Sequence, residues 1–361
     1  MVQQAHPDKY RQLLDEKLAG LKKTFAGTKH PPLEVHESDT LHFRMRAEFR
    51  IWHEDGNAHY AMNTPGEKRP YVISDFPVGS KKINELMSPL LEKINANDAL
   101  KKKLFSAEFL TALDGDSVIT LIYHKILNED WRQAAIDLQQ ELATNIIGRS
   151  RKKKTVIGLN YVIEKLLVDD KEYQYKQVET GFTQPNAKIN QAMLSWALRQ
   201  TKQCNDDLLE LYCGNGNFTC VLAQNFRKVL ATEISKVSVN SAHYNLEKNH
   251  INNVTIVRMS SEEMTQALDR IRPFRRLKDV DLDDYNLSTI FVDPPRSGLD
   301  EETLKLVKKF DNILYVSCNP STLMENMAML EGTHSIENFA VFDQFPYTPH
   351  LECGVFLKIK K

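Results

Sequence analysis

The stretch DLLELYCGNGNF, Asp207 to Phe218, runs a short apolar segment into a glycine turn and then into helical spacing. Strand, glycine loop, helix is the context in which backbone closes around a nucleotide-like ligand. Gly214 and Gly216 permit the tight turn and let a ligand approach the main chain. The third glycine of the dinucleotide fingerprint is absent, since Thr219 occupies its place, which argues against NAD or FAD. An acid, Glu233, ends the next apolar segment, 19 residues after Gly214, where a carboxylate accepts hydrogen bonds from ribose hydroxyls. An adenosine-type ligand is expected; the bland alternative is a plain strand-to-helix turn.

Outward from that loop, segments of strand and helix alternate. Helices are expected at 186–200, 218–225, 235–249, 261–270, 301–310 and 322–330, and strands at 207–212, 228–232, 254–259, 289–292 and 312–317, with two more centred on Ala340 and Val355. This alternation predicts a mostly parallel sheet covered by helices on both faces, closed by an antiparallel pair. The fold class is therefore α/β: a Rossmann-like sheet over 181–361, preceded by a smaller α+β region over 1–180. In that leading region, 7–25 and 130–143 carry helical spacing, 80–112 also reads as helical, and Ser117–Lys125 as a strand. From Phe43 to Ile51 apolar residues alternate with Arg and Glu, and turn signals at 55–57 and Thr64-Pro65-Gly66 bound an antiparallel meander with one charged face. Residues 169–178, rich in charge and tyrosine, read as the connection into the second half.

Composition narrows the class. With 361 residues, 42% apolar and 26% charged, the chain has the make-up of a globular protein of two domains, not of a disordered or disulfide-stapled one. No apolar run reaches the roughly 18 residues of a spanning helix, and the first residues lack a signal-peptide core, so a cytoplasmic protein without a membrane partner is expected. The five cysteines show neither CxxC nor paired Cys/His spacing, which predicts reduced thiols and no metal. A net charge of −1 argues by itself against nucleic acid; only Lys101–Lys103 and Arg151–Lys154 form basic clusters.

Three further motifs fall where strands of such a sheet end. FVDPPRSG places Asp293 after a strand with two prolines fixing the backbone, and Arg296 within reach of a base carbonyl or a phosphate. YVSCNP delivers Cys318 at the same edge ahead of a helix, a position in which amides at the helix start would favour a nucleophilic thiolate. FPYTPHLECG offers His350 and Glu352 as bases in a proline-bounded turn.

Together, ELYCGNGNF, FVDPPRSGLD, YVSCNPSTL, FPYTPHLECG, FTQPN and RMRAEFRIW resemble the RNA uracil-C5 methyltransferase family, most of all its tRNA (uracil-5-)-methyltransferase branch, over essentially the whole chain. The resemblance implies methyl transfer from S-adenosylmethionine to C5 of the T-loop uridine at position 54 of tRNA, giving 5-methyluridine, by a monomer that reads the T arm. Other RNAs with a T-like loop, such as tmRNA, are further substrates on that reading. It implies Cys318 as the nucleophile at uracil C6 and Glu352 as the base that removes the C5 proton. Gln184, Tyr212, Asn217, Glu233 and Asp293 would hold the cofactor with Gly214 and Gly216. Glu48, Arg50 and Phe105 would contact the RNA, and Arg296 the uracil edge. The chain has no cysteine before Cys204, so a four-cysteine iron–sulfur cluster in its leading half is impossible, which disfavours the ribosomal-RNA branch. An RNA cytosine-C5 methyltransferase is the alternative chemistry. An RNA-folding activity is an added possibility, because flipping a base already rearranges the loop.

Overall fold

The computed structural model describes residues 5–64, 66–67, 69–151 and 153–360, so Pro65 of the expected turn and Lys152 of the basic run lie outside the described residues. In chain order the elements begin with α1 (Tyr10–Thr24) and β1 (Leu33–His36). Then come β2 (Arg46–Glu54), β3 (Asn57–Met62), β4 (Tyr71–Val72), α2 (Lys81–Ala96), α3 (Asp98–Lys101), β5 (Leu104–Thr111), β6 (Ser117–Tyr123), α4 (Glu129–Leu142), β7 (Asn145–Ser150) and β8 (Lys153–Ile157). The ribbon β9 (Tyr161–Val168) and β10 (Lys171–Val178) precedes α5 (Ala187–Gln200), β11 (Asp207–Leu211), α6 (Asn217–Leu222), β12 (Val229–Thr232), α7 (Lys236–Lys248) and β13 (Val254–Val257). The chain continues through α8 (Ser261–Leu268), β14 (Leu287–Val292), α9 (Glu301–Val307), β15 (Asn312–Ser317), α10 (Pro320–Leu330), β16 (His334–Phe342) and β17 (Glu352–Ile359).

Two compact units divide these elements. One comprises Met1–Asp8, Asp39–Lys165 and Gln177–Ala187; the other Lys9–Ser38, Leu166–Lys176 and Lys188–Lys361. The division departs from a single cut near 180, because α1 and β1 belong to the sheet-bearing unit. β1 pairs in parallel with β16, Leu33 opposite Phe339, and the apolar stripe of α1 (Leu14, Leu21, Phe25) is buried in that unit's core. A fully buried leucine contributes about 1.5–3 kcal/mol, enough to fix a fifteen-residue helix that has no side-chain cap.

The larger unit is an eight-stranded sheet of order β1-β16-β17-β15-β14-β11-β12-β13. Every pairing is parallel except those of β17 with β15 and β16. All five residues of β11 are buried, as expected of a central parallel strand covered on both faces. Strand order reverses between β11 and β14, so the turns after these two strands diverge and open a crevice at their carboxyl ends.

The other unit carries a seven-stranded sheet of order β4-β3-β2-β5-β6-β7-β8, antiparallel apart from β6 with β7, which α4 connects. Phe49, Tyr60, Phe76 and Phe109 form its aromatic core, with ring centroids 5.1–5.8 Å from Phe49. The expected helix over 80–112 stops early. Lys103 takes φ +59°, and the chain then enters β5 between β2 and β6, a short apolar run whose periodicity alone does not separate strand from helix. The stretch at 169–178 is also more than a connection. Asp169 and Asp170, both at positive φ, make the two-residue turn of the β9–β10 hairpin, and Tyr173 and Tyr175 bury one face of β10.

Candidate active site

The glycine loop leaves β11 through three successive departures into left-handed backbone: Tyr212 at φ +62°, Gly214 at +58° and Gly216 at +80°. A tyrosine there costs of order 1 kcal/mol or more, and the surroundings hold it: Tyr212 Oη donates to Ser261 Oγ at 2.7 Å. A Cβ on Gly216 would lie 3.4 Å from that of Ala242 on α7, so α7 packs close against the loop. Gly214 N–H donates to Glu233 Oε2 at 3.0 Å and Ser235 N–H to Oε1 at 2.7 Å. Glu233 is thereby fixed in place just after β12, with lone pairs left over for vicinal hydroxyls. The side-chain amide of Asn217 exchanges two hydrogen bonds with Asn190 (2.8 and 2.9 Å), and its carbonyl accepts from Tyr175 Oη at 2.9 Å. It braces the loop in this structure. Asn245 adds a third brace, donating to the Asn215 carbonyl at 2.8 Å. Asn190, Tyr175, Ser261 and Asn245 were not singled out from sequence, because each acts through a partner remote in the chain.

Strand register assembles the chemical groups. β15 lies between β14 and β17, and its last residue, Ser317, sits opposite Cys353. One step further along, Cys318 and Glu352 leave the ends of neighbouring strands, while Asp293 leaves β14 one residue after Val292, itself paired with Tyr315. Among the described residues Cys318 is the one cysteine that is not buried. Burial pushes its thiol up to about 11, with the Glu352 and Asp293 carboxylates adding to the rise and Arg296 opposing it. The expected helix-start amides do not prevail here: Asn319 caps α10 by accepting from Ser321 N–H at 3.2 Å, and two acids face the sulfur. Glu352 is buried, and its carboxyl lies well above the usual range through desolvation and the neighbouring Asp293. Burial likewise pushes Asp293 up to about 7.

Arg296 is carried on an exposed turn pinned from below, with its carbonyl accepting from Asn319 Nδ2 at 2.9 Å and its guanidinium meeting His350 Nδ1 at 3.1 Å. An electrophile seated between the glycine loop and the β14–β15–β17 edge would meet one thiol, two high-pKa carboxyls and one guanidinium. That set supports nucleophilic addition and proton removal. No group of three or more His, Cys, Asp or Glu among the described residues is arranged to hold a metal ion.

The remaining candidates lie in the other unit. Gln184 is partly exposed on the segment 177–187, which Met45 N–H ties down through the Pro185 carbonyl at 2.8 Å. On β2, Glu48 is exposed opposite Glu108 of β5, and the Arg50 guanidinium lies 5.7 Å above the Trp52 ring. Phe105, 41% exposed, stacks on His124 with centroids 4.5 Å apart and planes 22° from parallel. His124, unmarked by sequence, also lines an open pocket of about 1050 Å³ with Lys125, Ile126, Arg149, Arg151 and Lys153. Part of the Arg151–Lys154 run thus borders a concave basic surface.

Comparison with known proteins bears on this geometry. A family model described as tRNA (Uracil-5-)-methyltransferase matches residues 9–360. The tRNA/tmRNA (uracil-C(5))-methyltransferase of Saccharophagus degradans is 55% identical over 359 residues, covering 99% of this chain and 98% of the relative. That of Cellvibrio japonicus is 56% identical, covering 97% and 95%. The crystal structure of Pyrococcus abyssi tRNA (uracil-54, C5)-methyltransferase in complex with S-adenosyl-L-homocysteine superimposes with a TM-score of 0.74 at 21% identity, over 96% of this chain and 82% of that one, a likeness of fold.

Proposed function

Because the chain belongs to the tRNA (uracil-5-)-methyltransferase family, we propose that its crevice methylates C5 of a tRNA uridine through a covalent adduct on Cys318. The protein is an S-adenosylmethionine-dependent methyltransferase acting on uracil C5 of tRNA, and tmRNA enters through the names of its relatives. The finer assignments are our reading: the T-loop uridine at position 54, T-arm recognition, a monomer, a cytoplasmic location and the residue roles. The observation that carries the mechanism is the convergence of Cys318, Glu352 and Asp293 on adjacent strand ends.

The residues present fit the cofactor. Glu233, pinned by Gly214 and Ser235 amides, has acceptor capacity for ribose hydroxyls, and the glycine loop presents backbone without side chains. Tyr212 and Asp293 would border the same ligand. Bound there, S-adenosylmethionine supplies an electrophilic methyl group.

Uracil C5 is too weak a nucleophile to take that methyl unaided. Once its thiol proton has passed to water, Cys318 Sγ adds to C6 as the thiolate, and the electron pair of the C5–C6 double bond moves through C4 onto O4. Arg296 is placed to hydrogen-bond the uracil edge as charge collects there, as a preorganised donor does. The resulting enolate would return its electrons through C5 to the methyl carbon, the new C–C bond forming as the methyl–sulfur bond of the donor breaks with its electrons going to that sulfur, so that S-adenosylhomocysteine is left. Glu352 then takes the C5 proton, the C5–C6 double bond re-forms, and the C6–S bond breaks with its electrons returning to sulfur. A carboxylate whose pKa burial has raised is a stronger base for that step than an exposed one. Glu48, Arg50 and Phe105 would engage the RNA, Phe105 by stacking on a displaced base, which offsets part of the few kcal/mol that flipping costs.

The test incubates the protein with methyl-labelled S-adenosylmethionine and unmodified tRNA, beside a transcript whose T-loop uridine is cytidine. Label recovered as 5-methyluridine from the first RNA alone is expected. Label in 5-methylcytidine, or equal label in both RNAs, overturns the assignment.

A further inference from the structure

The segment from Asp343 to Leu351, between β16 and β17, delivers His350 and Glu352 yet has no regular structure of its own. Its internal bonds are local: Thr348 Oγ1 donates to the Phe345 carbonyl at 2.8 Å, and His350 N–H reaches Thr348 Oγ1 at 3.3 Å. Tyr347 sits at φ +63°, which an unrestrained tyrosine leaves. Restraint comes from the first helix of the chain. Lys17 Nζ, on α1, donates to Asp343 Oδ1 at 2.7 Å and to the Phe345 carbonyl at 2.9 Å, so one ammonium grips both the start of the turn and its third residue. The ion pair is enclosed, with side-chain exposures of 7% and 1%. Two turns of α1 earlier, the Tyr10 ring meets Tyr347 edge-on, centroids 6.3 Å apart. Asp343 N–H also donates to the His36 carbonyl at the end of β1, at 3.0 Å.

A buried ion pair is a poor way to gain stability, since two apolar side chains of similar volume commonly do as well or better. What it supplies is direction: an ammonium satisfied by two acceptors on one turn permits one path for that turn. The very next residue leaves no slack, because Glu352 is already paired in β17 with Phe342.

We propose that Lys17 is a positioning residue for the elimination half of the reaction, its bond to Asp343 holding the turn that presents Glu352 to the adduct. The proposal rests on Glu352 as the base. α1 then serves the chemistry without touching substrate, and misplacing the base by about 1 Å costs of order a hundredfold in rate.

The experiment uses the double variant Lys17→Met/Asp343→Asn, which removes both charges and leaves neither buried alone, with Glu352→Gln in parallel. We expect the double variant to lose about ten- to a hundredfold in kcat with KM for tRNA and S-adenosylmethionine within about twofold. We also expect it to accumulate a protein–RNA adduct that survives denaturing electrophoresis, since methylation outruns release. Wild-type turnover by the folded variant, or lost turnover without an adduct, overturns the proposal. Where the double variant does not fold, Lys17→Gln, which keeps a donor for the Phe345 carbonyl, is read in the same way. Normal turnover by Glu352→Gln is a separate outcome: it overturns the reading of Glu352 as the base, and the proposal with it.

Discussion

Arg296 Nη2 lies 3.1 Å from His350 Nδ1, joining the turn after β14 to the turn before β17. A guanidinium only donates, so Nδ1 must accept, and the imidazole that holds Arg296 is the neutral one.

That requirement sets a pH limit. Burial, the Arg296 charge and Lys17 all lower the His350 pKa from 6.5, so the contact survives through pH 6.5 and is lost below it as the ring takes a proton. We expect KM for tRNA to stay flat from pH 8 to about 6.5 and rise on further acidification. His350→Ala should raise KM about tenfold at pH 8 and abolish this acid limb, whereas His350→Gln, which retains an acceptor, should stay near wild type. Steady-state kinetics across pH decides, and a KM unaffected by His350→Ala would remove Arg296 from uracil binding.

Cys318 is protonated at rest, since its thiol lies near 11, above the ordinary 9.0. Alkylation by iodoacetamide at pH 7 should therefore run about a hundredfold slower than for an unperturbed thiol, and rise about tenfold per pH unit up to about 11. Mass spectrometry of the Cys318 peptide measures the rate. Fast labelling at neutral pH would show that burial and the two carboxylates do not raise the thiol.

Glu210, beside the glycine loop on β11, is buried, and its carboxyl is pushed up to about 8 by desolvation, opposed by the nearby Thr219 hydroxyl and reinforced by Asp293. A carboxyl raised by folding favours the native state only while protonated, so wild-type stability drains as pH climbs from about 4.5 to about 8. Glu210→Gln lacks that drain. Its stability relative to wild type should improve by about 2–3 kcal/mol between pH 6 and pH 8, read from urea unfolding at the two pH values. A difference that does not change with pH would place the ordinary pKa on Glu210.

Gly354 follows Glu352 by two residues on β17, and a Cβ there would come within 2.7 Å of the Trp196 ring. Gly354→Ala should cost about 1–3 kcal/mol by forcing β17 or Trp196 aside. Since β17 carries Glu352, kcat should fall too, and Trp196→Leu added to Gly354→Ala should restore part of both. Thermal melts and turnover of the single and double variants test this.

The sheet was legible because its strands announce themselves twice, by apolar runs and by the motifs at their ends. Asp293 and Cys318 each follow the last residue of an expected strand, Glu352 lies just ahead of the strand expected around Val355, and register does the rest. β5 was lost to a helix reading because Leu104–Thr111 mixes apolar and polar residues without a clean alternation, and only pairing with β2 and β6 marks it as strand. The bracing of the loop by Asn190 and of the turn by Lys17 was invisible for another reason. A hydrogen bond between residues 27 or 326 positions apart leaves no periodicity in a single sequence.

The pairing of β1 with β16, and the grip of Lys17 on Asp343, also set a schedule for synthesis. Residues 9–38 leave the ribosome early, yet the partners that bury them are made some three hundred residues later. Closing contacts of that sequence separation is slow, and the waiting helix exposes Leu14, Leu21 and Phe25 throughout. A nascent chain stopped before residue 320 would hold the residues of the glycine loop but neither α10 nor β16, against which the first helix and β1 pack. Methylation competence thus arrives only with the last stretch of translation, and truncated products are a burden for chaperones before they are a hazard to tRNA.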